Sequence, residues 1–184
     1  SSCSMMAQSI GSGVTGSTFP SRDEDMLGAE AAYAAKEAEL QGYLDSYEST
    51  HDYDEYHFDL DEIGHDPYVL ISILTAYHEG EWTLSEVQGT LDMLFERQYI
   101  LTEEVVVETR YRTENRIGTR EVTDPETGET TTEEYDYEVE VPYDYYICYV
   151  TLENFDLSHL PVYIMDEDKV SMYAVYIATQ GNRP

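Results

Sequence analysis

The stretch EVVVETRYRTENRIGTREVTDPETGETTTEEYDYEVEVPYDYYICYV, residues 104–150, decides the fold, because charged and apolar side chains separate in it by residue parity. A period of two is that of a strand, whose successive side chains point to opposite faces. In the first half the odd positions Val105, Val107, Thr109, Tyr111 and Ile117 oppose Glu108, Arg110, Arg112, Arg116 and Arg120. In the second half Tyr135, Tyr137, Val139, Val141 and Tyr143 oppose Glu134, Asp136, Glu138 and Glu140. Between them Asp124-Pro125-Glu126-Thr127-Gly128 is turn chemistry, so the stretch predicts one long β-hairpin. A turn centred on Glu126 sets Arg112 across from Glu140 and Arg116 across from Asp136. It also makes the Tyr/Val face a core face against helices and leaves the charged face in water. Pro142 predicts a bulge or the end of a strand section, with a more buried strand at 145–152 carrying Ile147, Cys148, Val150 and Leu152.

Before the hairpin the period is helical. Ser21 followed by Glu24 has capping-box spacing and predicts a helix to about Tyr47, with Tyr33, Leu40, Leu44 and Tyr47 inward and Glu30, Lys36, Glu37 and Glu39 facing water. Asp66-Pro67 opens a second helix bearing Val69, Leu70, Ile73, Leu74 and Tyr77, and Gly80 ends it. Thr83 with Glu86 opens a third, which buries Leu84, Val87, Leu91, Leu94 and Phe95. A last helix is capped by Asp166, carries Val170, Tyr173, Ala174 and Ile177, and ends at Gly181. Asp45 to Asp66 has no Lys or Arg and predicts an extended acidic connection, and residues 1–20, rich in Ser and Gly and free of charge, predict a tail or linker. The expected fold is α+β: N-terminal helices packed on an antiparallel sheet built around the long hairpin, with a C-terminal helix, all in one domain over residues 21–184.

Composition narrows function by exclusion. The 184 residues carry 39 Asp and Glu against 9 Lys and Arg, a formal charge of −30, so the field repels polyanions and nucleic acid is not an expected partner. Eighteen tyrosines argue for a folded chain rather than a disordered one. Cys3 and Cys148 suggest neither a disulfide framework nor a thiolate metal site, and neither has the setting of a nucleophile.

Three constellations invite chemistry. His51, His57 and His65 lie among carboxylates, yet an EF-hand loop begun at Asp59 meets Ile63 and Leu70 where ligands are required, so the segment reads as a solvated connection and no metal ligand is assigned. Glu79 and Glu81 beside the single Trp82 are the strongest carboxylates for a glycosidase, but Gly80 is explained by the helix stop alone. The tyrosines between Tyr135 and Tyr149 could stack on sugar rings, although core packing is the stronger reading of them. No catalytic, cofactor-binding or metal residue, and no cofactor, is assigned.

The segments EIGHDPYVLISILTAYHEG, QYILTEEVVVETRYRTENRIGTREVTDPETGETTTEEY, YDYYICYVTLENFDLSHLPVYIM and QGNRP together resemble a region of Gram-positive mobile-element proteins. These are exported cell-wall peptidases of conjugative transposons, in which the region lies between an N-terminal membrane anchor and a C-terminal NlpC-type cysteine peptidase domain. The resemblance runs from about Asp23 to Pro184. That peptidase carries its Cys in an Asp-Cys-Ser-Gly setting with a later His, and neither Cys3 nor Cys148 has those neighbours, so no catalytic residue carries over. The resemblance implies a non-catalytic, extracytoplasmic, cell-envelope spacer or interaction domain that positions a peptidoglycan hydrolase. It implies peptidoglycan or conjugation-machinery proteins as partners and membrane contact only through an anchor outside this chain. The rival readings are a peptidoglycan-binding module using the tyrosines and a muralytic glycosidase using carboxylates.

Overall fold

The computed structural model describes residues 19–179. Its elements, in chain order, are α1 (Asp23–Asp45), α2 (Tyr47–Thr50), β1 (Glu55–Leu60), α3 (Pro67–Tyr77), α4 (Leu84–Gln98), β2 (Tyr99–Thr123), β3 (Thr130–Asn154), a 3₁₀ turn (Leu157–His159), α5 (Pro161–Ile164) and α6 (Glu167–Thr179). The class is α+β. The chain divides into two compact units, one made by residues up to His51, Phe58–Glu103 and the chain from Val150 on, the other by Asp52–His57 and Glu104–Tyr149.

The first unit holds the apolar core. Met26, Ala29 and Tyr33 of α1, Leu70, Ile73 and Leu74 of α3, and Val87, Leu91 and Leu94 of α4 meet there, joined by Trp82, Leu157 and Leu160. The α3 and α4 caps are those read from the residues. Asp66 accepts from the Tyr68 N–H at 2.9 Å, and Thr83 Oγ1 accepts from the Glu86 N–H at 3.4 Å. Gly80, at φ +132°, follows the α3 terminus in a conformation L side chains rarely adopt. Asp166 accepts from the Lys169 N–H at 2.9 Å at the start of α6, which lies half-buried with Tyr173, Tyr176 and Ile177 against the core. Gly181 lies outside the described residues.

The start of α1 differs from expectation. Arg22 is its N-cap and makes no side-chain cap, while the Ser21 hydroxyl accepts from the buried Trp82 N–H at 3.0 Å. A buried amide with no other acceptor outbids a surface helix end for the hydroxyl. Asp25 is likewise diverted and accepts from the Leu84 N–H at 3.0 Å, so α1 helps to cap α4. Residues 1–18 of the expected tail lie outside the described residues, whereas Phe19 is buried with its ring 5.5 Å from that of Tyr176.

The sheet is three-stranded in the order β1-β3-β2. The connection read over Asp45–Asp66 contains a helical turn and strand β1. Its backbone pairs parallel with β3, Asp54 N to Tyr146 O and Asp61 N to Leu152 O, both at 2.9 Å, so the sheet is mixed rather than purely antiparallel. β3 runs unbroken through Pro142, where a bulge or end was expected. The reason is parity. Even residues of β3 turn their amides away from β2, as Tyr146 and Leu152 do toward β1, and β1 does not reach position 142, so the missing N–H faces an open edge.

The hairpin register is shifted by one from expectation. Asp124 N donates to Glu129 O at 2.8 Å, which leaves four residues in the turn and centres it between Glu126 and Thr127. The same offset recurs at the far end, where Phe155 N donates to Gln98 O at 2.7 Å. Thr113 therefore meets Glu140, with Oγ1 to Oε1 at 2.7 Å, and Arg120 approaches Glu133 at 3.6 Å. The Arg112–Glu140 and Arg116–Asp136 pairs do not form. Arg112 and Arg116 instead flank Glu114 of their own strand, at 3.7 and 3.2 Å.

Candidate functional site

Two places in the described residues concentrate chemistry, one buried in the first unit and one exposed on the second. The buried one centres on His65, whose side chain is 3% exposed. Helix α1 brings Glu30 and Glu37, seven residues apart and so on one face, to either side of the ring. His65 Nδ1 lies 2.6 Å from Glu37 Oε1, and Nε2 lies 2.7 Å from Glu30 Oε2. Carboxylate oxygens only accept, so both ring nitrogens donate and the imidazole carries both protons. Burial alone would lower its pKa, but the hydrogen bonds and charges of the two glutamates outweigh burial and hold it at about 9.

A second ring of partners closes this cluster. The Tyr99 hydroxyl donates to Glu37, and it accepts from the Gly64 N–H at 2.9 Å. The Tyr33 hydroxyl donates to Gln98 Oε1 at 2.6 Å, and Gln98 Nε2 donates to Gly64 O at 3.2 Å and Asn154 Oδ1 at 3.0 Å. Burial and the nearby carboxylates push both phenols above their ordinary range, so they serve as donors and not as acids. Each carboxylate of the triad is engaged and the histidine is enclosed. What this arrangement does is tie the 61–66 loop to α1. Glu30 and Glu37, expected to face water, are buried for that reason.

The exposed place is the face of β3 that carries its odd residues. The one-residue offset puts these on the same side as the arginines of β2. The Arg110 guanidinium lies 3.4 Å above the centre of the Tyr145 ring, and that of Arg120 lies 5.4 Å from the Tyr135 ring. Tyr135 and Tyr137 sit 5.7 Å apart, and Tyr135 packs across the strand onto Gly118, where a Cβ would come within 2.8 Å of the ring. Tyr135, Tyr137 and Tyr143 remain nearly two-fifths exposed, at 39, 39 and 37%. They are therefore not the core expected of them. Arg110, Arg112, Arg116 and Arg120 share this face, two of them against rings and all four beside a glutamate, so the face offers stacking surface together with paired guanidinium groups.

The other candidates separate in space or in environment. Trp82 is buried, its indole N–H donating to Thr75 Oγ1 at 3.2 Å, while Glu79 and Glu81 are exposed. Of the three histidines read as a group, His51 stacks on Tyr47 at 3.7 Å, His57 stacks on Tyr149 at 5.0 Å and pairs with Glu55, and His65 is enclosed as described. Among the described residues no three His, Cys, Asp or Glu side chains converge as metal ligands. Cys148 is buried and is not part of a disulfide. A shallow groove of about 620 Å³ in the first unit is lined by Glu96, Arg97, Ile100, Phe155, His159, Leu160 and Tyr163 and offers an apolar floor with one acidic and one basic side chain on its walls. Among the described residues no helix is long and apolar enough to cross a membrane. Compared with known proteins, the chain matches no family model, no curated protein and no solved structure.

Proposed function

We propose that this chain is a non-catalytic interaction domain that works at the cell envelope, positioning a peptidoglycan hydrolase of the mobile-element type its segments resemble. The observation that carries the reading is the partition of its chemistry. Its buried acids and histidine are consumed by one another in the Glu30–His65–Glu37 cluster, while one exposed face of the hairpin carries a row of tyrosines beside arginines and the glutamates they pair with. Stacking rings beside guanidinium groups suit a polymer of sugar rings whose peptide branches carry carboxylates, which makes peptidoglycan the favoured ligand and gives the tyrosines a use that core packing does not.

Sedimentation of the chain with purified peptidoglycan, alongside turbidity clearing of the same suspension, tests this. Binding without clearing is expected, with loss of at least about ten-fold in affinity for a Tyr135→Ala, Tyr137→Ala, Tyr143→Ala variant, since each stacked ring is worth about 0.5–1.5 kcal/mol. Clearing by the chain alone would overturn the non-catalytic reading, and Glu79→Gln and Glu81→Gln would then separate a carboxylate mechanism from others. Binding unchanged in the triple variant would move the ligand off the tyrosine face.

A further inference from the structure

Strand β2 has a neighbour on one side only. The offset that pairs its even residues with β3 leaves the amides and carbonyls of Val105, Val107, Thr109, Tyr111, Thr113 and Asn115 directed at the free edge. β3 also has an open stretch before β1 begins to pair, and the two edges are built differently. Over 130–149 β3 carries six acids, no Lys or Arg, and Pro142, the devices that keep an edge from recruiting another strand. Over 104–123 β2 carries four Glu and four Arg and no proline, so it is a neutral, uninterrupted edge in a chain of charge −30.

Read outward from Arg112 in the two directions, those charges have opposite signs at matching distances, and the one like pair of β2 away from Arg112 itself, Glu103 with Glu121, lies at its ends. An antiparallel copy of β2 centred on Arg112 sets Glu104 opposite Arg120, Glu108 opposite Arg116 and Arg110 opposite Glu114, and each pair occurs twice. On the other face it sets Val107, 53% exposed, opposite Ile117, 66% exposed. Moving the register by one pair in either direction places Arg110 against Arg116 or Glu108 against Glu114. Arg112 meets its own copy at the axis, with its charge held by Glu114 of its own strand.

We propose that β2 pairs edge to edge with β2 of a second copy of this chain, in that register. The contact is isologous, so it closes at two copies. Over the hairpins it gives the strand order β3-β2-β2-β3, with β1 of each copy beyond the last part of β3, and the acidic, proline-bearing stretches of β3 that β1 does not cover stop further addition. It rests on the backbone edge of β2 and its charge order; the arginines it pairs also lie on the face proposed to bind the wall, so the assembly is measured without peptidoglycan, and its failure leaves the wall-binding reading standing.

Sedimentation velocity on the full chain, up to about 200 µM, measures the assembly directly, because a weak dimer is concentration-dependent. A dimer is expected. Asn115→Pro removes an amide that points to the free edge and none that β3 uses, so the far-UV spectrum should be unchanged while the dimer dissociation constant rises at least about ten-fold. In a Cys3→Ser background Arg112→Cys places two thiols across the axis at a non-hydrogen-bonded position, about 4.5 Å between Cα atoms, and should oxidise to a covalent dimer. Arg116→Cys, whose partner position is 108, should not. A chain that stays monomeric over the whole range, a dimer indifferent to Asn115→Pro, or equal cross-linking of the two cysteine variants would each overturn the proposal.

Discussion

Both nitrogens of the His65 ring meet carboxylate oxygens in a site closed to water, so its proton is part of the fold. With a folded pKa of about 9 against an ordinary value of 6.5, the stabilisation is complete below pH 6.5 and is lost as pH rises through 9. At about 1.4 kcal/mol per unit this is on the order of 3 kcal/mol. Urea denaturation between those limits should show stability falling as pH rises, and His65→Gln should flatten that fall while lowering stability at the acid end. An unchanged slope in the variant would remove His65 as its source. Ser72 makes the opposite case. Its Oγ is buried in α3 with no hydrogen-bond partner among the described residues, so Ser72→Ala should raise stability by about 1 kcal/mol in the same assay. Neither role is legible in the sequence, where His65 reads as one of three histidines in a solvated connection. Glu30 and Glu37 sit among other charged residues on an Ala-rich helix, and only the loop that carries His65 to that face distinguishes the buried pair from the solvated ones.

At the scale of elements, the starts of α3 and α4 were legible because their capping signals are local. A capping side chain and the amide it binds are two or three positions apart, so no distant part of the chain is needed to place them. Gly80→Ala tests one such signal: at φ +132° a Cβ is strained whatever space surrounds it, and a loss of about 1–3 kcal/mol in thermal or urea denaturation is expected. The hairpin was legible as an element and misread in register. Parity within each strand says which residues share a face, but it does not say which face of one strand joins which face of the other. That is set by the number of residues in the turn, and the Asp124–Glu129 closure fixes four. The outcome mixes a charged row with an aromatic one, and Gly118 records it. Gly118→Val should push the Tyr135 ring off the strand and lower hairpin stability, read as increased amide exchange over Arg116–Arg120. Strand β1 was missed because its residues alternate weakly and its partner lies about ninety positions away, at 146–152.

For the molecule as a whole, the charge of −30 is a standing cost to compaction. Raising salt from 0.1 to 1 M shortens the screening length from about 10 to about 3 Å, so Tm should rise with NaCl, and it should do so in His65→Gln as well, since the enclosed triad is shielded from ions. A Tm that falls with salt would mean that surface ion pairs such as Arg120–Glu133 outweigh the global repulsion. By itself the sequence determined the α+β class, the positions and caps of α3 and α4, the existence of the long hairpin and the sign of the electrostatic field. Each of these is a matter of local spacing or of summed composition. The tertiary structure alone decided that two glutamates are buried, that Ser21 serves Trp82 and not its own helix, that the tyrosines of β3 share a face with the arginines of β2, and which sheet edge is left open. These depend on where distant segments meet, and there the cost of an unpaired buried polar group overrides what each residue would choose among its neighbours in sequence.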